Sequence, residues 1–402
     1  MTNTPVIGLD VAKGESQGQA FLDKGKPHGK SVRILHTRDG LDAFHLFLQE
    51  IEALAKQQPT VILESTGHYH APIVQFLEQH HYAYIMVNPL ISHQAKKSSL
   101  RKVKTDAVDA YCLAELFYKE DFEPHKKRGL LLLNLRNLTR QHAAITGLFV
   151  QIKLQFHAIL DQVFPEYRGV FGDLYSHVSL EILQSFPTSA QVLALDEETL
   201  AEKIVSLCKS RSPRWARERA QKIREAALRN PFAHTRFESH LFSLDMYIRM
   251  ILEYKEHLSA LEKQIDALAQ DIEEYQMIQS IPGIGGKIAA TILSEIGEID
   301  RFHHPKKLVA FAGVDPSVHS SGKFTATVNH ITKRGSSRLR HTLYVAVLCG
   351  IRTSGSKKLR AYYDQKREEG KVFKVAIIAC VNKLVHWIYA VLKRKEAFVD
   401  VV

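Results

Sequence analysis

The amino-acid sequence predicts an α/β domain at the N-terminus followed by a mostly helical remainder. Three observations carry this. Over the first 120 residues, short apolar runs rich in β-branched residues alternate with helix-patterned stretches. From about 125 to 280 the pattern is almost wholly helical, with prolines only at Pro165, Pro187, Pro213 and Pro231. After 276 a Gly-rich, basic segment leads into apolar helices that close with KVFKVAIIACVNKLVHWIYAVLKR.

PVIGLDVAK reads as the first strand. QGQAFL and SVRILH follow as two more, separated by the turn-rich DKGKPHGK, which suggests an antiparallel meander. DGLDAFHLFLQEIEALAKQ is a helix with Leu41, Phe44, Phe47, Leu48, Ile51 and Leu54 on one face. TVILEST and AYIMVN are the fourth and fifth strands, joined by a short helix in HAPIVQFLEQHH, and another helix runs over about 105–118. The order β-β-β-α-β-α-β-α describes a mixed sheet covered by helices. Two long helices are expected next, over about 130–164 and from 244 to 275. In the second, apolar residues recur at steps of three and four from Leu244 through Ile265 to Tyr275, a coiled-coil-like spacing. The two helices can pack on each other or on a second protomer.

Hydrophobic residues make up 45% and charged residues 24%, which excludes a largely disordered chain. No run of 18 apolar residues occurs, so no membrane span is expected. Cys112, Cys208, Cys349 and Cys380 are scattered without a Cys-x-x-Cys pair, which argues against a disulfide framework or a zinc ribbon and points to a reducing cytoplasm. The 402 residues carry a net charge of +11. Residues 301–402 hold 20 Lys and Arg against 6 Asp and Glu, a net +14, while residues 1–300 come to −3. A basic C-terminal quarter beside a near-neutral body suggests a polyanionic partner, most often nucleic acid. The alternative is a basic surface that only serves solubility.

Four carboxylates stand out. Asp10 sits inside the first strand, where Asp is disfavoured. Glu64 ends the fourth strand, before Ser-Thr-Gly. Asp106 and Asp109, three apart in KTDAVDA, share a helix face. In ribonuclease-H-like sheets of this order, strands one and four are neighbours, so Asp10 and Glu64 would meet beside that helix. Like charges cannot crowd uncompensated. Oxygen-only ligands favour Mg²⁺ or Mn²⁺, and two such ions can clamp a phosphate during in-line displacement. Singly, each acid is as well read as a helix cap, a strand end or a solvated group. An actin-like ATPase also opens with IGLD, but its further Gly-rich phosphate loops do not follow in this sequence.

Three basic or Gly-rich segments point to phosphate contacts. IPGIGGKIAATILSEIG, residues 281–297, has the helix-hairpin-helix pattern, with Pro282, Gly283, Ile284, Gly285 and Lys287 at the turn. A plain helical hairpin is the simpler reading. In AGVDPSVHSSGKFTATVNHITKRGSSRLRHTLY, Ser320-Ser321-Gly322-Lys323 forms a turn that can expose a hydroxyl, and Lys333, Arg334, Arg338 and Arg340 read as a phosphate grip. In KKSSLRKVK, Lys96, Lys97, Arg101, Lys102 and Lys104 lead directly into Asp106. The 21 histidines show no metal-ligand spacing.

IGLDVAK, LESTG and KTDAVDA resemble the DEDD transposases of the insertion-sequence one-ten family, to which Piv-type DNA invertases are related. IPGIGGKIAATILSEIG, FAGVDPSVHSSGK and ITKRGSSRLR resemble that family's second signature domain. The resemblance covers about residues 5–120 and 277–395. It implies a RuvC-like, ribonuclease-H-type catalytic domain over 1–124, a helical coiled-coil linker over 125–276, and a C-terminal transposase domain over 277–402. It implies a metal-binding tetrad of Asp10, Glu64, Asp106 and Asp109, with Mg²⁺ or Mn²⁺ as cofactor. Ser321, the serine before glycine, takes the position of the family's nucleophile. Donor and target DNA, a non-coding bridge RNA and further copies of the chain are the implied partners. A RuvC-like junction resolvase using water, and a non-catalytic helix-hairpin-helix DNA-binding protein, are the rival readings.

Overall fold

Five strands form the N-terminal sheet of the computed structural model, which describes residues 4–64, 68–87, 92, 105–120, 129–208, 211–231, 238–317, 320–321, 324–325, 329–352 and 354–400. They are β1 (Val6–Val11), β2 (Glu15–Asp23), β3 (Lys26–Leu35), β4 (Thr60–Glu64) and β5 (Tyr84–Val87). Across the sheet they run β3-β2-β1-β4-β5. The first three pair antiparallel, and β4 and β5 continue parallel to β1. Among the described residues, three helices accompany them: α1 (Arg38–Ala55), α2 (Ala71–Gln79) and α3 (Asp106–Lys119). The mixed sheet and its order are consistent with a ribonuclease-H-like domain.

Side-chain alternation divides this sheet into two faces. Ile7, Leu9, Val61 and Leu63 pack with Phe44 and Leu48 of α1 and with Ile73 and Phe76 of α2. Val6 and Ile62 pack on the other side, with Leu113 and Ala114 of α3. By parity, Gly8, Asp10 and Glu64 belong to the α3 face.

One strand differs from expectation. DKGKPHGK reads as a turn, yet β3 already begins at Lys26 and only Lys24 and Gly25 connect the strands. Gly25 takes φ +71°, which lets the chain reverse in two residues. Pro27 is tolerated because β3 is an edge strand, where a missing N–H breaks no ladder bond.

The chain divides into two compact units, Met1–Lys127 and Arg128–Val402. The second is helical. It contains α4 (Leu130–Val163), α5 (His177–Ser185), α6 (Ser189–Leu193), α7 (Glu197–Leu207), α8 (Pro213–Arg229) and α9 (Glu238–Gln270). After these come α10 (Glu273–Gln279), α11 (Gly286–Ile296), α12 (Pro305–Ala312), α13 (Ser337–Gly350), α14 (Lys357–Glu368) and α15 (Phe373–Arg394). A short ladder, β6 (Ser320–Ser321) with β7 (Phe324–Thr325), lies between α12 and α13.

Two hydrophobic cores sit inside this unit, and α4 and α9 contribute to both. Leu135, Ile265 and Ala269 belong to the core built on α10–α15. Phe156, Leu160, Leu244 and Ile248 belong to the core of the helical insert. The two long helices run antiparallel: His142 pairs with Glu262, and Phe149 stacks on Tyr254 with ring centroids 6.4 Å apart. Both long helices thus contribute side chains on either side of the boundary expected between the linker and the C-terminal region.

Among the described residues, two helices reach the length and mean hydropathy of a membrane span, Leu131–Val163 at 1.4 and Phe373–Arg394 at 1.8. The expectation of none rested on unbroken apolar runs, and these helices reach the average with polar interruptions. Half of the apolar window in α15 is buried in the core, as a central helix of a globular unit requires. The four cysteines are all free thiols.

Candidate active site

β1 and β4 bring the first two carboxylates together. The strands are parallel and in register through Leu9 and Leu63, so Asp10 and Glu64 are the next residues along two adjacent strands. Both are half-buried. Ser92 is 2% exposed, and its Oγ donates to Glu64 Oε2 at 2.7 Å, which orients that carboxylate.

The other two carboxylates arrive on α3. Thr105 caps the helix, its Oγ1 accepting from Val108 N at 3.3 Å, so Asp106 and Asp109 fall in the first turn. Acidic side chains are favoured there by the helix dipole. The helix runs antiparallel to β1. At its far end the Tyr118 hydroxyl donates to Thr4 O at 2.9 Å, and burial, helped by the charge of Asp23, pushes that phenol up to about 12, so it stays a donor. In the middle, Gly8 meets Ala110 and Ala114; a β-carbon on Gly8 would stand 2.1 Å from Ala110 O. The N-terminal turn with Asp106 and Asp109 is thereby directed toward Asp10.

The four acids thus share one end of the sheet. Among the described residues, no three His, Cys, Asp or Glu side chains stand close enough together to hold a metal. The donor chemistry nevertheless fits a hard divalent cation: four carboxylates, no sulfur and no imidazole. Lys96, Lys97, Arg101, Lys102 and Lys104 lie outside the described residues.

In the second unit, the segment expected as a helix-hairpin-helix comprises α10, a turn and α11. Gly283 has φ +95°, and a β-carbon there would stand 2.5 Å from Gly350 N. Its glycine is needed for packing against the end of α13. Gly285, the N-cap of α11, has no described neighbour within 4 Å of where a β-carbon would stand, which leaves that backbone approachable. Lys287 is exposed, with Nζ 2.5 Å from Glu262 Oε1, and this hydrogen bond holds the Glu262 carboxyl below its ordinary range.

The basic segment before α13 divides by role. Arg340 is turned inward and donates from Nη1 to Ala312 O at 3.0 Å, closing the end of α12. Lys333, Arg334 and Arg338 are exposed. Ser321 lies in β6, paired with Phe324 across the ladder; its side chain, that of Ser320, and all of Gly322 and Lys323 lie outside the described residues.

Sequence reasoning missed two polar residues. Ser92 carries no motif, and its partner is 28 positions away. Glu295 was hidden in the apolar run of α11. It is fully buried, accepting from Arg140 Nε at 2.7 Å, from Arg140 Nη2 at 3.1 Å and from Ser336 Oγ, the N-cap of α13, at 3.1 Å, with Arg136 Nη2 at 3.4 Å. An acid inside an apolar helical run, with arginines on an earlier helix, is the signal that could have found it.

Two family models match the chain, and together they span more than half of it. One, described as a transposase with a DEDD site, matches residues 7–165. The other, the transposase IS116/IS110/IS902 family, matches residues 275–364. Among curated relatives, the transposase for insertion sequence element IS1111A of Coxiella burnetii is 32% identical over 152 residues, 37% of this chain and 41% of that protein. The uncharacterized 44.8 kDa protein of insertion element IS116 from Streptomyces clavuligerus is 24% identical over 303 residues, 73% of this chain and 72% of the relative. The pilin gene-inverting protein of Moraxella bovis is 26% identical over 165 residues, 39% of this chain and 51% of its own length. The chain thus spans about two fifths of the first of these relatives and half of the last. With one model of the family on the acidic sheet and the other on the basic helical region, the chain belongs to the IS110 family of insertion-sequence transposases.

Proposed function

We propose that this chain cleaves and rejoins DNA strands to move a mobile element, using the carboxylate set and Ser321 in one reaction. The observation that carries the reading is the convergence of Asp10 and Glu64 on adjacent parallel strands, with the Asp106–Asp109 turn of α3 aimed at the same end. Asp10, Glu64, Asp106 and Asp109 are the ligands for Mg²⁺, with Mn²⁺ a substitute. A bound divalent ion supplies Lewis-acid polarisation of the phosphate and offsets its charge. The Ser321 hydroxyl gives up its proton and attacks phosphorus. The Oγ–P bond forms as the P–O bond to the leaving sugar breaks, and that sugar oxygen takes a proton. The phosphoserine link keeps the phosphodiester's energy for rejoining. Lys333, Arg334 and Arg338 hold backbone phosphates, as do Lys96, Lys97, Arg101, Lys102, Lys104 and Lys323, with Gly285 offering a backbone contact.

A bridge RNA from the same element belongs to this reading through the family resemblance alone. Self-association belongs to it as well: Leu148, Val150 and Leu154 of α4 and Met246 and Met250 of α9 are exposed apolar residues on the two long helices. The test is incubation of the protein with labelled element-end DNA, its flanking non-coding RNA and Mg²⁺, resolved on a denaturing gel. A labelled protein band is expected. Efficient cleavage with no such band would replace the recombinase by a water-using nuclease, and no cleavage under any condition would favour a DNA-binding protein.

A further inference from the structure

Two basic motifs far apart in sequence open onto one cleft. Lys287, Thr291 and Glu295 form a stripe of α11, each four residues from the next. Arg338 and His341 come from the first turns of α13. Arg140 and Ala143 of α4 form the opposite wall, and the buried Ile265 of α9 lies at the bottom. The space measures about 240 Å³.

Charge and shape together select its occupant. Three cations, Arg140, Lys287 and Arg338, and one carboxylate, Glu295, line the cleft, with Arg136 paired to Glu295 and Glu262 to Lys287. Glu295 is held by both Arg136 and Arg140, and Glu262 by Lys287, so Arg338 is left with no carboxylate partner among the described residues. The rim therefore attracts an anion. The floor is apolar at Ile265, and Ala143 of the α4 wall adds a methyl group. A duplex presents phosphates on a convex surface and keeps its bases stacked, so it gains nothing from an apolar floor. A single unstacked nucleotide gains from both, with its phosphate at the rim and its base against the floor.

We propose that this cleft of α4, α11 and α13 receives one unpaired nucleotide of a bound nucleic-acid strand, its phosphate on Arg338. The proposal rests on the reading of the chain as a nucleic-acid recombinase and adds a specific subsite to it. A cleft-filling substitution that leaves all charges in place separates this from a merely basic surface. Ala143 is exposed on α4, so Ala143→Trp fills the space without disturbing the core.

The probes are a 5′-fluorescein oligouridylate and the matching oligothymidylate, titrated against the full-length protein by anisotropy at several salt concentrations. Ala143→Trp is expected to weaken binding about tenfold, the effect of losing one base contact, with an unchanged salt slope. Arg338→Ala is expected to weaken binding and lower the salt slope by about one. Weakening of the RNA probe alone assigns the site to a ribonucleotide, and weakening of both assigns it to either strand. Wild-type affinity of Ala143→Trp for both probes overturns the proposal, as does an equal loss from Ala144→Trp, exposed on the same helix outside the cleft. Strand cleavage is assayed separately. Normal cleft binding by a protein that cleaves nothing would overturn the recombinase reading and leave the cleft assignment standing.

Discussion

Gly8 of β1 lies directly beneath Ala110 of α3, so close that a β-carbon on Gly8 would come within 2.1 Å of the Ala110 carbonyl oxygen and 2.6 Å of Ala114 N. The contact sets how near the helix approaches the strand. Asp10 is two residues beyond Gly8, and Asp109 directly precedes Ala110. The spacing between the two halves of the carboxylate set therefore depends on a missing side chain.

Gly8→Ala is expected to push α3 away from the sheet. The neighbours are backbone atoms, which cannot rotate aside, so the cost is that of overpacking, about 1–3 kcal/mol or more. Strand cleavage should fall further than stability, because the Asp106–Asp109 turn moves with the helix. Urea unfolding of the isolated variant, compared with its cleavage rate, checks this. Full activity in Gly8→Ala would mean that the helix position does not matter to the chemistry.

Asp10→Ala, Glu64→Ala, Asp106→Ala and Asp109→Ala are each expected to abolish recombination while circular dichroism stays that of the wild type. A chelator should do the same to the unmodified protein, with Mg²⁺ or Mn²⁺ restoring activity. The reason is that a hard divalent cation needs several oxygen ligands at once. Wild-type strand exchange in any two of these variants would dismantle the set. Ser92→Ala should be milder: it leaves every ligand in place and removes only the 2.7 Å hydrogen bond that orients Glu64.

How much of this was legible depended on range. The order of elements along the chain follows from short β-branched runs, a local signal, whereas the expectation that β1 and β4 are neighbours came from ribonuclease-H-like sheets of the same order. The start of β3 was not legible, because Pro27 and Gly29 look like turn residues until the edge position of the strand is known. The boundary expected at 276 follows the change to a Gly-rich, basic sequence, and nothing in the apolar spacing of α9 says that the helix serves two cores. The partners of Glu295 are the least local of all: Arg140 is 155 residues away, and no spacing rule reaches that far.

Glu295→Gln is expected to destabilise the second unit. Breaking a buried ion pair from one side costs about 3–5 kcal/mol. Arg140 keeps 37% of its side chain exposed, which draws the figure down toward about 2 kcal/mol. The N-cap Ser336 also loses its carboxylate acceptor, so the start of α13 and the Arg338 beside it loosen. Nucleic-acid affinity should fall along with the unfolding midpoint. Equal stability of Glu295→Gln and the wild type in urea would show that the buried cluster contributes nothing net.

The last expectation concerns Ser321. It stands in β6, far in sequence from the carboxylates and inside the basic C-terminal region. A nucleophile needs only its hydroxyl removed to be silenced. Ser321→Ala should stop cleavage and abolish any covalent protein–DNA adduct. Binding of DNA and RNA should stay nearly unchanged, because one neutral hydroxyl adds little beside many phosphate contacts. Ser320→Ala is expected to be far milder, since the matching family position is the serine next to glycine. The denaturing gel with labelled DNA, RNA and Mg²⁺ reads all of this at once. A labelled band that survives in Ser321→Ala and disappears in Ser320→Ala moves the role to Ser320. Loss in neither variant, with the adduct intact, removes both serines from the chemistry and sends the search to another hydroxyl of the basic region.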